Sequence, residues 1–214
     1  MATDFPESPA RLDVVAITCE RGERVLFRDL SFGLSAGELL QVEGANGCGK
    51  TTLLRTLCGL VLPAAGEIRW CGTPLPRGRG ELLAELAYVG HSAGVKDDLS
   101  PRENLRLEAA LAVPRPGVDL RTVLERLGLS RQADLPCRSL SAGQKRRTAL
   151  GRLLMRRARV WLLDEPFTAI DRAGVEQLTV LMSEHVDGGG LLVLTTHQPV
   201  RFSGLEPRLL RLGA

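Results

Sequence analysis

Eight consecutive residues, Gly44-Ala45-Asn46-Gly47-Cys48-Gly49-Lys50-Thr51, constrain the fold of this chain more than any other stretch. They match the P-loop pattern G-x-x-x-x-G-K-[ST] at every position. Glycines at 44, 47 and 49 allow backbone conformations closed to a residue with a Cβ, so successive N–H groups can converge on one concave point that suits a phosphate. Residues 38–42 before the loop are apolar enough for a buried strand, and residues 52–57 after it read as a helix that stops near Gly59. Strand, loop and helix thus follow in the order a phosphate-binding turn needs. The helix N-terminus at Thr51 and Thr52 adds unpaired N–H donors and a partial positive charge. Lys50 adds a full charge for the β and γ phosphates, and the Thr51 hydroxyl is placed to ligate magnesium. A glycine-rich turn that binds nothing would explain the glycines but not the Lys-Thr ending between strand and helix.

With 214 residues, 44% of them hydrophobic, the chain can bury the core of one α/β domain, and we expect a single folding unit over residues 1–214. Its net charge of +3, from 28 basic and 25 acidic residues, is too balanced to imply a nucleic-acid partner, and none is expected. The longest uncharged stretches contain polar residues, glycine or proline and fall short of the roughly 18 to 20 apolar residues of a spanning helix. Residues 1–9 have no basic residue followed by an apolar run, so no signal peptide is expected there, only a mobile tail on a cytosolic chain. Cys19, Cys48, Cys58, Cys71 and Cys137 are odd in number and lack metal-ligand spacing. Reduced thiols, mostly packed in the core, are the expectation.

Residues 12–18 are rich in β-branched side chains and residues 25–34 alternate, which predicts a small antiparallel β layer leading into the P-loop strand. Residues 67–70 and 85–89 read as further strands, the second in the main sheet, joined by a Pro/Gly/Arg-rich connection over 72–80. At Ser100 the character changes: Ser-Pro-Arg-Glu supplies an N-cap, a proline at the first helical position and a glutamate at N3. One helix should run from there through Leu105 and Leu111 to a stop at Val113-Pro114, and a second from Asp119 to Gly128. Together they predict a helical sub-lobe inserted in the α/β core. Ser141-Ala142-Gly143-Gln144 has capping-box spacing and opens a third helix, expected to reach about Arg157. That helix and its end carry Lys145, Arg146, Arg147, Arg152, Arg156, Arg157 and Arg159 without an acidic residue between. The absence of interleaved aromatics favours a solvated basic face over a nucleic-acid patch.

Val160-Trp161-Leu162-Leu163 then ends in Asp164-Glu165, as expected of a buried parallel strand whose C-terminal end meets the ligand. This is the Walker B pattern: Asp164 to hold magnesium through water, Glu165 to polarise a water attacking the γ-phosphate. An ordinary turn could also carry two acids, but not so readily with a P-loop upstream. A helix over 175–185 and a strand over 191–195 follow, and the chain then reaches His197.

The combination resembles the ATP-binding cassette (ABC) family. About ninety residues after the P-loop stands Leu140-Ser141-Ala142-Gly143-Gln144, similar to that family's LSGGQ signature with one glycine replaced by alanine. Walker B comes twenty residues later, followed by Ala169-Ile170-Asp171 at the D-loop position and His197 at the switch-histidine position. The similarity runs from about residue 12 to residue 197, and GTPases and kinases with a P-loop lack the signature. It implies an α/β P-loop NTPase of the ABC type: a mainly parallel core sheet (about 12–90 and 159–214), an antiparallel β layer and a helical sub-lobe (about 97–158). It further implies ATP and Mg²⁺ as ligands, with Lys50, Glu165 and His197 catalytic and Thr51 and Asp164 on the metal. The family's head-to-tail pairing places ATP between the P-loop of one copy and Ser141 and Gly143 of another, so a homodimer or a pair of cassettes is expected.

The chain departs from the family at two places. Where a Q-loop glutamine is expected, it has Gly90-His91, followed by Gly94, Lys96, Leu99 and Glu103-Asn104-Leu105. That pattern is similar to the ATPase subunits of cytochrome c maturation within the family. For them the resemblance implies integral-membrane partners of the CcmB and CcmC type, work on the cytoplasmic face of the inner membrane, and ATP-driven haem export or release of a haem-loaded chaperone. Near the position where many members stack an aromatic ring on adenine stands Arg21. An ABC ATPase for another substrate shares every catalytic motif, and a soluble iron–sulfur assembly ATPase shares the architecture. Most DNA or ribosome types need a long coiled coil or two cassettes in one chain, and the sequence reads as having neither.

Overall fold

The computed structural model describes residues 10–111 and 113–213; the tail expected over residues 1–9 lies outside them. The P-loop strand β3 (Leu39–Glu43) sits inside a five-stranded parallel sheet. Its neighbours are β8 (Leu191–Thr195) and β9 (Arg208–Arg211), and the order is β6-β7-β8-β3-β9, with β6 at Leu86–Val89 and β7 at Val160–Asp164. Every residue of β7 and β8 is buried, which is why both read as unbroken apolar runs rather than alternating ones. Their register sets Leu163 beside Leu194 and Asp164 beside Thr195, so polar side chains arrive together only at the C-terminal edge.

The antiparallel layer is a second sheet, ordered β2-β1-β4-β5. It comprises β1 (Arg11–Arg21), β2 (Arg24–Ser35), β4 (Ala65–Trp70) and β5 (Thr73–Pro74). Helix α1 (Lys50–Leu57) packs between the two sheets. The connection expected over 72–80 is partly ordered: Thr73–Pro74 pairs with β4, and a short α2 (Arg79–Ala84) buries Leu82.

Four α-helices and two short 3-10 turns stand between β6 and β7 among the described residues. Helix α3 (Pro101–Leu111) opens with the expected box, in which the Ser100 amide donates to Glu103 (2.8 Å) and the Glu103 amide to the Ser100 hydroxyl (3.2 Å). Helix α4 (Leu120–Arg126) is capped by Asp119, which accepts from the Thr122 amide. The helix expected to reach Arg157 is instead two, α5 (Ala142–Leu150) and α6 (Arg152–Met155). They meet at Gly151, where a Cβ would stand 2.4 Å from Leu105 Cδ2 and 2.9 Å from Leu127 Cδ1. Glycine lets three helices approach more closely there than any side chain permits. After β7, α7 (Arg172–Asp187) begins earlier than the apolar pattern indicated because Asp171 caps it, accepting from the Gly174 amide (3.0 Å).

Strand alternation divides the apolar interior in two. Trp161 and Leu163 face α3 to α7, whereas Val160 and Leu162 face α1 and the antiparallel sheet.

The expected solvated basic face is not what forms. Arg146 and Arg159 are 4% and 7% exposed, and Arg159 lies over the Trp70 ring and pairs with Glu85. Lys145 pairs with Asp97, Arg147 with Asp171 and Arg152 with Glu108. Their carboxylate partners lie far away in sequence, so the missing acids of the run are supplied by the fold. The free cysteines follow expectation at Cys19, Cys58 and Cys137, which are buried, while Cys71 is exposed.

Candidate nucleotide site

The P-loop leads into α1 with the Leu53 amide bonded to the Gly49 carbonyl (2.8 Å). Gly49 has φ of 107°, and a Cβ there would stand 3.1 Å from both Leu26 Cβ and Phe27 Cε1. The turn is therefore open to glycine on two grounds, its left-handed backbone and the antiparallel layer pressed against it. Lys50 is largely buried and folds across the loop, donating from Nζ to the carbonyls of Gly44 (2.7 Å) and Ala45 (3.3 Å).

Asp164, 1% exposed at the end of β7, is gripped from both sides. Thr51 Oγ1 donates to its Oδ2 at 2.7 Å and Thr195 Oγ1 to its Oδ1 at 2.8 Å. The same Thr195 hydroxyl accepts from the Glu165 amide at 2.9 Å. Glu165 has φ of 50°, a left-handed conformation that costs a non-glycine residue about 1 to 3 kcal/mol. In this conformation its carboxylate meets His197, whose amide donates to Oε2 (3.3 Å). His197 Nε2 stands 3.3 Å from Oε1 without hydrogen-bond alignment, and Oε1 has no hydrogen-bond partner among the described residues. A buried carboxylate oxygen in that state is an acceptor that a polar ligand can satisfy.

One cavity of about 380 Å³ gathers these groups. Of the residues singled out in the sequence, Arg21, Asn46, Gly47, Gly49, Lys50, Thr51, Thr52, His91, Asp164, Glu165 and His197 line it, with Leu26 and Thr168. Gly44 and Ala45 lie underneath, supplying carbonyls to Lys50, and Cys48 packs so close to Gly44 that a Cβ there would be 2.5 Å from its Sγ. Burial, with the Asp164 charge adding, pushes the Tyr88 hydroxyl up to about 12.

The signature residues do not line this cavity. Leu140 is buried, whereas Ser141 and Ala142 are exposed. Ser141 and Gln144 bond reciprocally at the head of α5, hydroxyl from amide at 3.2 Å and amide to side-chain oxygen at 2.9 Å. A Cβ on Gly143 would stand 2.4 Å from the Ala169 carbonyl. Alanine is thus accommodated at 142, which faces solvent, but not at 143, which lies on the loop after Glu165.

Two participants were not singled out from the sequence. Thr195 looked like the end of an apolar strand; its hydroxyl holds both acids in place. Arg146 looked like part of a charged surface; its guanidinium lies beneath Glu165, donating to that residue's carbonyl at 2.9 Å.

Chemically, the loop amides and Lys50 can cradle a polyanion. Thr51 and Asp164 offer a hydroxyl and a carboxylate oxygen side by side, a donor set suited to a hard, oxygen-preferring cation. Among the described residues no group of three or more His, Cys, Asp or Glu could hold a metal without other ligands. A cation fits here with phosphate oxygens and water completing its shell.

The ABC transporter family matches residues 27–168, which span the P-loop, the signature and Walker B. The cytochrome c biogenesis ATP-binding export protein CcmA of Nitrosococcus oceani is 45% identical over 99% of this chain and 96% of its own length. CcmA of Haemophilus influenzae is 47% identical over 92% and 93%, and CcmA of Salmonella typhi 50% identical over 88% and 90%. Among solved structures, an ABC transporter ATP-binding protein from Pyrococcus furiosus superposes with a TM-score of 0.78 at 21% identity, covering 94% of this chain and 97% of that one. A further ATP-binding subunit of an ABC transporter gives 0.76 at 25% identity, covering 87% and 79%. With the phosphate loop, the Walker B acids and the signature in these positions, the chain belongs to the ABC transporter family of ATPases, on the branch of the CcmA proteins.

Proposed function

We propose that this chain is the ATP-hydrolysing subunit of a membrane ABC complex for c-type cytochrome maturation, serving haem export or release of a haem-loaded chaperone. The observation that carries this reading is the near full-length identity of 45–50% to CcmA proteins. His91 at the expected place of the Q-loop glutamine, facing the cavity, agrees with it. No helix of the described residues is long and apolar enough to cross a membrane, so integral-membrane subunits of the CcmB and CcmC type would supply the passage, with this chain peripheral on the cytoplasmic face of the inner membrane. We read residues 1–214 as one ABC domain, with its core at about 12–90 and 159–214 and its helical sub-lobe at about 97–158.

ATP is the nucleotide and Mg²⁺ its ion in this reading, the ion resting on Thr51 and Asp164. When bound, it would neutralise charge gathering on the β and γ phosphates. Lys50 exchanges its two loop carbonyls for phosphate oxygens, and the loop amides from Asn46 to Thr52 orient the chain of phosphates. Glu165, with Oε1 unpartnered, accepts a proton from the attacking water, and His197 braces its other oxygen. Arg21 lies where the base would rest. Ser141 and Gly143 of a second copy close the site from outside, in keeping with an exposed Ser141 and a half-buried Gly143 away from this chain's own cavity.

Deleting the gene in its host and measuring covalently attached haem tests the proposal. Loss of c-type cytochromes, restored by the wild-type gene and not by Lys50→Ala, is expected; normal c-type cytochromes in the deletion strain would overturn it.

A further inference from the structure

A buried arginine normally faces a carboxylate. Arg146 does not: among the described residues every hydrogen bond of its guanidinium goes to a backbone carbonyl. Nη1 donates to Gly90 (2.6 Å) and, at 3.4 Å, to His91; Nη2 donates to Asp164 (2.6 Å) and Glu165 (2.9 Å); Nε donates to Pro166 (3.3 Å). Burial pulls its pKa below the usual arginine value, opposed by the charges of Asp164 and Glu165, and a guanidinium stays protonated through such a shift.

The accepting carbonyls belong to two adjacent strand ends. β6 and β7 pair as far as Val89 and Leu163. Past that point the β6–β7 ladder stops; the Glu165 carbonyl still accepts from the Thr168 amide (3.2 Å), and Arg146 reaches it together with the carbonyls of Gly90 and Asp164. A planar fork spanning two directions can bind both sets at once, which a point-like ammonium cannot. The preceding residue on α5, Lys145, pairs with Asp97 at 2.6 Å. Successive residues of the helix that the signature opens therefore hold residues 90–97 at both ends, and one of them also holds the strained backbone of Glu165.

We propose that Arg146 is a positioning residue for ATP hydrolysis. Its guanidinium fixes His91 and Glu165 relative to each other and to the signature helix, so the two side chains facing the γ-phosphate from different strands move as a unit. Among the described residues none of its hydrogen bonds goes to the P-loop, and it does not line the cavity. Losing it should misplace the general base while leaving nucleotide affinity in place. This rests on Glu165 being that base.

The test is steady-state ATPase kinetics of Arg146→Lys, Arg146→Met and Arg146→Ala, with Glu165→Gln in parallel. Expected are a KM for ATP within about twofold of wild type, a kcat lower by at least tenfold in Arg146→Met, and an intermediate kcat in Arg146→Lys. Millimolar guanidinium should restore part of kcat to Arg146→Ala, a recovery that loosened packing alone would not show. Arg146→Met with wild-type kcat overturns the proposal, as do equal losses in kcat and ATP affinity without guanidinium rescue. Should Arg146→Met fail to fold, Arg146→Lys decides: wild-type turnover refutes the need for a fork. If Glu165→Gln hydrolyses ATP normally, the assignment of the base fails instead, whatever the arginine variants do.

Discussion

His185 makes the stability of the central sheet depend on pH. Its ring, on α7, stacks on Trp161 of β7 with centroids 3.8 Å apart, and Nε2 lies 3.2 Å from the Leu191 carbonyl. Gly190 closes the other side, since a Cβ there would stand 2.2 Å from the ring. Burial drives the imidazole pKa from 6.5 down to about 3, against the pull of the Leu191 carbonyl. The folded chain thus holds the ring neutral where the unfolded chain protonates it. The contribution is complete above pH 6.5 and is lost progressively as pH falls toward 3, because the unfolded state binds the extra proton in that window. Linkage with an unfolded pKa of 6.5 gives a loss of about 1 kcal/mol at pH 5.5 and about 3 kcal/mol at pH 4.5. His185→Phe retains a ring to stack but cannot titrate. Urea unfolding of both proteins at pH 8, 6.5 and 5.5 should show wild type losing ground to the variant by these amounts, whatever constant offset the lost hydrogen bond and altered ring size impose. A difference that stays the same from pH 8 to pH 5.5 would refute the argument.

Lys50→Ala removes the only side-chain cation of the P-loop; charge-assisted phosphate bonds are worth about 1.5 to 3 kcal/mol, so ATP affinity by calorimetry should fall at least tenfold. Glu165→Gln should bind ATP yet hydrolyse it about 10² to 10⁴ times more slowly, and light scattering should then show an ATP-dependent dimer that added Ser141→Arg returns to monomer. Asn104 pins residues 96–99, with Oδ1 accepting from the Lys96 amide (2.8 Å) and Nδ2 reaching the Lys96, Leu99 and Ser100 carbonyls. Asn104→Ala should keep the ATPase rate of the isolated protein within about twofold while cytochrome c assembly fails; normal assembly would count against a partner-facing role for that segment.

The phosphate loop, the Walker B strand and the cap at Ser100 were legible because each is a local arrangement whose chemistry is complete within a few residues. The signature was legible for the same reason, being a helix cap followed by small residues. What could not be read was which partners distant segments would supply. Lys145, Arg146 and Arg147 are consecutive, yet one pairs with Asp97, one is enclosed by carbonyls of two strand ends, and one pairs with Asp171. Spacing reveals a run of charge but not which side of α5 meets the sheet. Gly151 likewise read as an ordinary helix residue, and its reason is the approach of Leu105 and Leu127. Thr195 needed the β7–β8 register before its hydroxyl could be set beside Asp164.

The division of the interior by the parallel sheet has a consequence for how damage spreads. Leu162 and Leu163 are adjacent in sequence and both fully buried, yet they belong to different apolar clusters. Shortening each to alanine opens voids on opposite faces of β7, in different clusters, so their costs should come closer to summing than those of two voids in one cluster. Leu163 and Leu194, far apart in sequence but facing each other across β7 and β8, share a cluster, and their voids can join. Epistasis in this protein should therefore follow the faces of the sheet rather than distance along the chain.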